Sequence, residues 1–192
     1  GWTRGGPCKN LGDDFALEVL VPGNGYTVSA QPTLYWSTSQ PVSGQFMFTV
    51  KPVAVATSGT VEFPAALLEA KKDLSVTAGI QSLSLTQYLV SLQENKEYEW
   101  SVSLTCDAQN PSLNRTATGK IKRVPPPAKM KTITTAASGS QWPYLYAEMG
   151  IWYDALDSLS GLIQKNPNDK QLHEVRASLL KQGGLAKVGL SQ

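Results

Sequence analysis

The sequence predicts a mainly β protein, an antiparallel β-sandwich of about seven strands with a C-terminal antiparallel helical hairpin as an α appendix. Three observations support this fold class. Large apolar side chains such as Trp100 and Leu104 occupy every second position of residues 98–106, which places them on one buried face of a strand. Three prolines at 125–127 interrupt the chain. Beyond residue 142, apolar residues recur every three or four positions, as in amphipathic helices.

Alternating apolar residues bounded by glycine, proline and asparagine define the other strands. A helical turn or two is expected at residues 64–72, because this segment opens on Pro64 and is rich in alanine, leucine, glutamate and lysine. The strands are predicted at residues 15–21, 32–37, 46–50, 60–63, 80–85, 98–106 and 115–124.

The helical part is predicted to contain two helices. The first opens at Trp142 and runs to a turn at residues 166–169, where Asn168 or Asp169 can cap the second helix. Gly183 and the glycine that follows it end the second helix. The chain is therefore divided into an extended arm (1–14), a sandwich (15–124), a proline- and threonine-rich linker (125–141), and a helical hairpin with its tail (142–192).

Composition excludes several classes of partner. The 192 residues carry a net charge of +2, which is too small to favour nucleic acid or an anionic membrane surface. No stretch approaches the roughly 20 apolar residues of a membrane-spanning helix. The sequence opens on Gly1 and not on methionine, so we expect that a signal peptide has been removed.

Cys8 and Cys106 are the two cysteines of the chain. They can form one disulfide, which would tie the N-terminal arm to the sandwich and would place the protein in an oxidising compartment, secreted or periplasmic. Two free, buried thiols are the alternative. A metal site is not expected, because His173 is the single histidine and lies far from both cysteines in sequence.

No catalytic residue and no cofactor site is predicted. General acid–base chemistry needs carboxylates or a histidine held in a cleft, and the candidate carboxylate pairs all fall on predicted solvated faces. These pairs are Asp13 with Asp14, Glu97 with Glu99, and Asp154 with Asp157.

Aromatic residues are concentrated around the first predicted helix. A single face of the hairpin cannot bury all of them. The candidate partner-binding residues are Trp142, Tyr144, Tyr146, Trp152 and Tyr153. Packing against the sandwich explains most of them, and an exposed patch for a protein or a carbohydrate is the alternative.

Residues 20–50 resemble the opening strands of fibronectin type III and related immunoglobulin-like sandwiches. The resemblance rests on the Pro22–Gly25 turn, on the 31–36 segment with its Leu34 and Trp36, and on an aromatic third strand. Residues 146–156 and the 166–169 turn resemble a single tetratricopeptide repeat, whose apolar face would need the sandwich or another subunit as its partner.

Almost the whole chain resembles a bacterial, mainly cyanobacterial family called domain of unknown function nine-two-eight. The matching segments are residues 3–8, 98–107 and 146–156. The resemblance implies an exported protein, which agrees with a disulfide. It implies no activity.

The sequence therefore predicts a non-catalytic, exported cell-envelope protein that binds protein partners. One alternative is a self-assembling subunit of an extracellular filament or surface layer, in which residues 1–14 or 185–192 lend a strand to a neighbour. A carbohydrate-binding module that uses exposed tryptophans is a further alternative.

Overall fold

The fold was analysed in a computed structural model that describes residues 7–57, 60–62, 64–133 and 138–185. Within these ranges the chain is mainly β, as predicted, with a few helices. The strands are β1 (Leu17–Val19), β2 (Asn24–Thr27), β3 (Thr33–Thr38), β4 (Val42–Pro52), β5 (Val55–Thr57), β6 (Thr60–Glu62), β7 (Leu68–Val76), β8 (Gly79–Ser84), β9 (Glu97–Leu104) and β10 (Arg115–Arg123). The α-helices are α1 (Ala128–Ile133), α2 (Trp142–Glu148), α3 (Trp152–Lys165) and α4 (Lys170–Gln182).

The strands form two main sheets and one small hairpin. A three-stranded sheet has the order β1-β3-β8, a five-stranded sheet has the order β2-β10-β9-β4-β7, and β5 pairs with β6. The chain changes sheet between β1 and β2, because β1 pairs with β3 whereas β2 pairs with β10. The β2–β10 pair is parallel, unlike the antiparallel pairing that the sequence predicts throughout.

The two main sheets pack face to face through aromatic side chains. Trp36 of β3 lies 5.1 Å from Phe46 and 5.8 Å from Phe48 of β4, measured between ring centroids. Trp100 of β9 is also fully buried. The same apolar cluster continues without a break into α3 and α4, so the helices share the core of the sheets and do not form a separate core.

The predicted helix at residues 64–72 is wrong. Residues Leu68–Val76 form β7, which pairs antiparallel with β4 from Leu68 opposite Val50 to Val76 opposite Val42. Local composition favours a helix here, but a continuous ladder along a long neighbouring strand outweighs intrinsic propensities that differ by only about 0.5 kcal/mol per residue.

The first predicted helix is broken into two. Gly150 has a φ of +72°, a left-handed conformation that suits glycine, and it separates α2 from α3. Asp169 caps α4 as predicted, because its carboxylate accepts the backbone N–H groups of Gln171 and Leu172 at 3.0 and 3.3 Å. The predicted linker contains the short helix α1.

Several predictions fall on residues outside the described ranges. These are residues 1–6 of the arm, Phe63 at the end of the predicted fourth strand, residues 134–137 of the linker, and residues 186–192 of the tail.

Candidate functional site

The first two residues of helix α3 bind it to the sheets through hydrogen bonds. The Trp152 Nε1–H donates to the carbonyl of Leu20 at 2.8 Å. The Tyr153 hydroxyl accepts from the Trp100 Nε1–H at 2.7 Å and donates to the carbonyl of Lys120 at 3.0 Å. Because these donors and acceptors are buried, each bond is costly to lose, and together they fix the position of α3 on the sheets.

Asp154 continues this seam between α3 and β2. Its Oδ2 accepts the backbone N–H of Val28 at 3.2 Å. Burial raises the pKa of Asp154 to about 6, although the Thr27 hydroxyl and the Val28 N–H act to lower it. The charge of this group therefore changes within the mildly acidic range, at a position that joins the helix to the sheet.

A polar cleft of about 870 Å³ lies between the three-stranded sheet and the helices. Its floor consists of Thr33 and Tyr35 of β3 together with most of residues 78–84. Five α3 residues form one wall, and two residues of α4 complete it. These wall residues are Asp157, Ser160, Gly161, Ile163, Gln164, His173 and Arg176.

Charge within the cleft is balanced. The Tyr35 hydroxyl donates to Asp157 Oδ1 at 2.7 Å, and burial together with the Asp157 charge raises the pKa of this phenol. Arg176 supplies a positive charge to the same wall, although burial lowers the pKa of its guanidinium. Asp157 thus accepts a hydrogen bond from a phenol that stays protonated, and the cleft offers hydrogen-bonding groups from both β3 and α3.

Strand β8 gives the cleft an accessible sheet edge. It is the last strand of the three-stranded sheet, and among the described residues no strand pairs with its outer side. A groove between an edge strand and a helix can accept an extended polypeptide as an additional strand.

A smaller, more apolar groove of about 460 Å³ lies between α2 and α4. Tyr144, whose side chain is 50% exposed, lies on its lining together with Pro143 and Ala147 of α2. The α4 side consists of Val175 and Leu179 together with polar residues such as Glu174.

The structure separates the five aromatic residues of the predicted partner-binding surface. Trp152 and Tyr153 are only 9% and 1% exposed, because α3 inserts them between the sheets. Trp142 and Tyr146 are half-buried and pack on each other, with ring centroids 5.3 Å apart. Of the five, Tyr144 alone is classed as exposed. The surface proposed from the sequence therefore reduces to Tyr144 and its neighbours.

The structure joins Cys8 and Cys106 as a disulfide, with their Cα atoms 5.1 Å apart. Cys8 belongs to a short 3₁₀ turn, Pro7–Asn10, and Cys106 follows the end of β9. The bridge closes a separation of 98 residues and ties the start of the described chain to the five-stranded sheet.

The cleft was not predicted from the sequence, which assigns Asp157 to a solvated helix face. Tyr35, Asp157 and Arg176 come from three distant segments, and only the folded chain brings them together. One signal was available: Asp157, Ser160, Gly161 and Gln164 form a polar stripe at spacings of three and four on a helix whose other side is apolar.

Among the described residues, no group of three or more histidine, cysteine, aspartate or glutamate side chains is placed to hold a metal ion. No helix in these ranges has the length and apolar character needed to cross a bilayer.

The chain belongs to the family described as Domain of Unknown Function (DUF928), whose model matches residues 1–191. No match was found among curated proteins. Two solved structures are similar over 59% of this chain at 12% identity. They are a mutant β-glucosidase from Listeria innocua in complex with laminaribiose (TM-score 0.32) and a β-glucosidase from the same organism in complex with gluconolactone (TM-score 0.31). This chain covers 16% of either enzyme, and likeness at this level supports no functional argument.

Proposed function

We propose that this protein is a non-catalytic, exported cell-envelope protein that binds an extended segment of a protein partner in the polar cleft. In this proposal the fold is an immunoglobulin-like sandwich to which a helical hairpin is fused. Two sheets packed through Trp36 and Phe46, with a chain that changes sheet between β1 and β2, support the first part. The core that α3 and α4 share with the sheets supports the second.

The observation that carries the binding proposal is the position of β8. Its outer side has no strand partner among the described residues, and its residues line the cleft opposite one face of α3. Main-chain hydrogen bonds from such an edge supply affinity, and the cleft walls supply contacts for the side chains of the added strand.

The proposed export rests on the Cys8–Cys106 disulfide, because such bonds persist in oxidising compartments. Thiol trapping in the native organism tests it. Rapid acid quenching followed by alkylation should leave both cysteines unlabelled. Labelling of both would show that the protein resides in a reducing compartment and would contradict export.

Photo-crosslinking tests the binding site. Ser82 at the centre of β8 is replaced by a photoreactive amino acid in the native organism, with Thr118 on the exposed face of β10 as the matched control position. We expect a discrete crosslinked protein from position 82 and none from position 118.

The captured segment is then synthesised and tested with purified protein. Ser82→Ala should bind it as the parent does, whereas Ser82→Pro, which lacks the backbone N–H, should bind it about tenfold more weakly. Equal affinity of the two variants would rule out strand addition at β8.

Self-assembly is the second candidate function, and one observation favours it. Strand β8 carries no charged side chain, so nothing on the strand itself repels an identical strand. The strand donors proposed from the sequence, residues 1–14 and 185–192, lie partly outside the described residues.

A further inference from the structure

The two strands at one side of the sandwich differ in charge. Strand β7, at the edge of the five-stranded sheet, carries four charged side chains: Glu69, Lys71, Lys72 and Asp73. Strand β8, at the edge of the three-stranded sheet, carries none in Gly79–Ser84. Because charged side chains are a common protection against edge-to-edge pairing, β7 is protected and β8 is not.

The direction of the β8 backbone groups follows from the hydrogen bonds at its end. The Leu85 N–H donates to the carbonyl of Pro32 at 3.1 Å, and these two residues continue the register in which Ser84 lies opposite Thr33. Pairs in an antiparallel ladder alternate between bonded and non-bonded, so Leu83 and Gln81 point their N–H and C=O groups toward β3.

The intervening residues Ile80, Ser82 and Ser84 therefore point their N–H and C=O groups away from β3. A backbone hydrogen bond on the opposite edge of β3, where β1 lies, agrees with this assignment. Tyr35, which lies opposite Ser82, accepts the Leu20 N–H at 2.8 Å, so its own backbone carbonyl faces away from β8. The outer edge of β8 thus presents the N–H and C=O groups of Ile80 and Ser82 and the N–H of Ser84, whose carbonyl begins the 3₁₀ turn Leu85–Tyr88.

This edge is complementary to itself. A second β8, antiparallel and related by a twofold axis, presents the same groups in the same spacing, and no like charges on the strands meet. The cleft beside β8 provides about 870 Å³ of free space between this strand and the helices. Self-pairing would merge the two three-stranded sheets into one continuous sheet.

Leu89 provides a second, independent observation. It follows the 3₁₀ turn Leu85–Tyr88, two residues beyond Gln87 of the cleft lining. Its side chain is 87% exposed, and its backbone is left-handed with a φ of +55°. Its exposed apolar side chain lies directly after the turn that follows β8, so it is available for a contact with a second copy.

We propose that two copies of this protein pair through antiparallel β8 strands, with Leu89 as an apolar contact at the end of the interface. The inference rests on the proposed function, because it names the β8 strand of a second copy as the segment that the cleft accepts.

Sedimentation equilibrium of the full, non-reduced chain tests the pairing, from micromolar to near-millimolar concentration. The parent protein should approach twice its 20.7 kDa mass. Ser82→Pro removes an outward N–H from each copy, and Ser82→Lys places like charges at the interface, so both should raise the dimer dissociation constant about tenfold or more. Ser82→Ala is the control and should dimerise as the parent does.

Leu89→Gly separates association from folding. Glycine adopts the left-handed conformation without strain, so the monomer should be at least as stable, whereas the dimer should dissociate more readily. This variant keeps the test decisive if proline at position 82 disturbs the fold.

Each outcome decides the proposal. A dimer that Ser82→Pro, Ser82→Lys and Leu89→Gly weaken and Ser82→Ala preserves supports it. A dimer that all variants retain overturns it, because the interface then lies elsewhere. A parent protein that stays monomeric also overturns it, whereas the crosslink from position 82 to a different protein would still support the proposed function.

Discussion

The two sides of the packed sheets are covered in different ways. On the side of β1 and β2, helix α3 packs on β2 and buries Trp152 and Tyr153 between the sheets. On the side of β7 and β8, no strand among the described residues covers either edge, and charge protects β7 alone. One side is thus covered by a helix of the chain, whereas on the other side β8 has no strand partner among the described residues.

This difference shows how one helix can serve two purposes. The apolar side of α3 seals the first edge through Tyr153 and Leu156, whereas its polar stripe with Asp157 and Gln164 forms a wall of the cleft beside the second. The helical layer therefore contributes to the core and forms one wall of the cleft.

The largest effect on the sealed side is expected from Tyr153→Ala. It removes a buried ring and leaves the Trp100 Nε1–H without its acceptor, so the free energy of unfolding should fall by about 3–5 kcal/mol. Tyr153→Phe, which keeps the ring, should cost about 1–3 kcal/mol. Urea unfolding followed by tryptophan fluorescence and by helical circular dichroism should give coincident transitions. Separate transitions would contradict a shared core.

Asp154→Asn should change the pH dependence of stability. The pKa of Asp154 is raised from 3.8 to about 6 in the folded protein, so its stabilising contribution is complete below pH 3.8 and is lost as the pH rises through 6. Between pH 4 and pH 7, the free energy of unfolding of the parent should therefore fall by roughly 2–3 kcal/mol relative to that of the variant. Parallel stability curves for the two proteins would exclude this assignment.

Gly25→Ala tests the close approach of β2 to α3. A Cβ at this position would lie 2.5 Å from Tyr153 Cε2 and 2.7 Å from Val21 Cγ2. We therefore expect the free energy of unfolding to fall by about 1–3 kcal/mol. Gly161→Ala in α3 is the matched control, because its Cβ would meet open space. It should stabilise the helix by about 0.5–1 kcal/mol. Similar unfolding midpoints for both variants would contradict the tight seam.

The smallest effect on stability is expected from the double variant Lys71→Thr with Asp73→Thr. These side chains are exposed on the edge strand β7, so the free energy of unfolding should change by less than about 0.5 kcal/mol. Removal of these two charges, which leaves Glu69 and Lys72 in place, should nevertheless produce new, concentration-dependent association in light scattering. Lys122→Thr on β10, a strand between β2 and β9, is the control. Equal scattering from both variants would show that charge does not protect β7.

The sequence was sufficient where a pattern is local. Alternation predicts strands at 32–37, 98–106 and 115–124, because a strand with one buried face must alternate, and the structure has β3, β9 and β10 there with ends that differ by one or two residues. It failed for β7, whose composition favours a helix and whose strand state depends on pairing with β4, distant in sequence. The sequence predicts Gly150 within a single helix, because the spacing of the apolar residues around it does not reveal the backbone angle φ of the glycine.

The candidate site was less predictable for the same reason. The aromatic residues around α3 were recognised, but whether Trp152 and Tyr153 face solvent or the sheets depends on tertiary packing. The exposed edge of β8 depends on strand order, which the alternation of Leu83 and Leu85 does not contain.

Hydrogen exchange at single amides of β8 tests the central claim most directly. In dilute protein, the amides of Ile80, Ser82 and Ser84 should exchange rapidly, whereas those of Gln81 and Leu83, bonded to β3, should be protected. At high concentration the first three should become protected as well. Unchanged, rapid exchange at Ser82 in concentrated, dimeric protein would contradict pairing through β8.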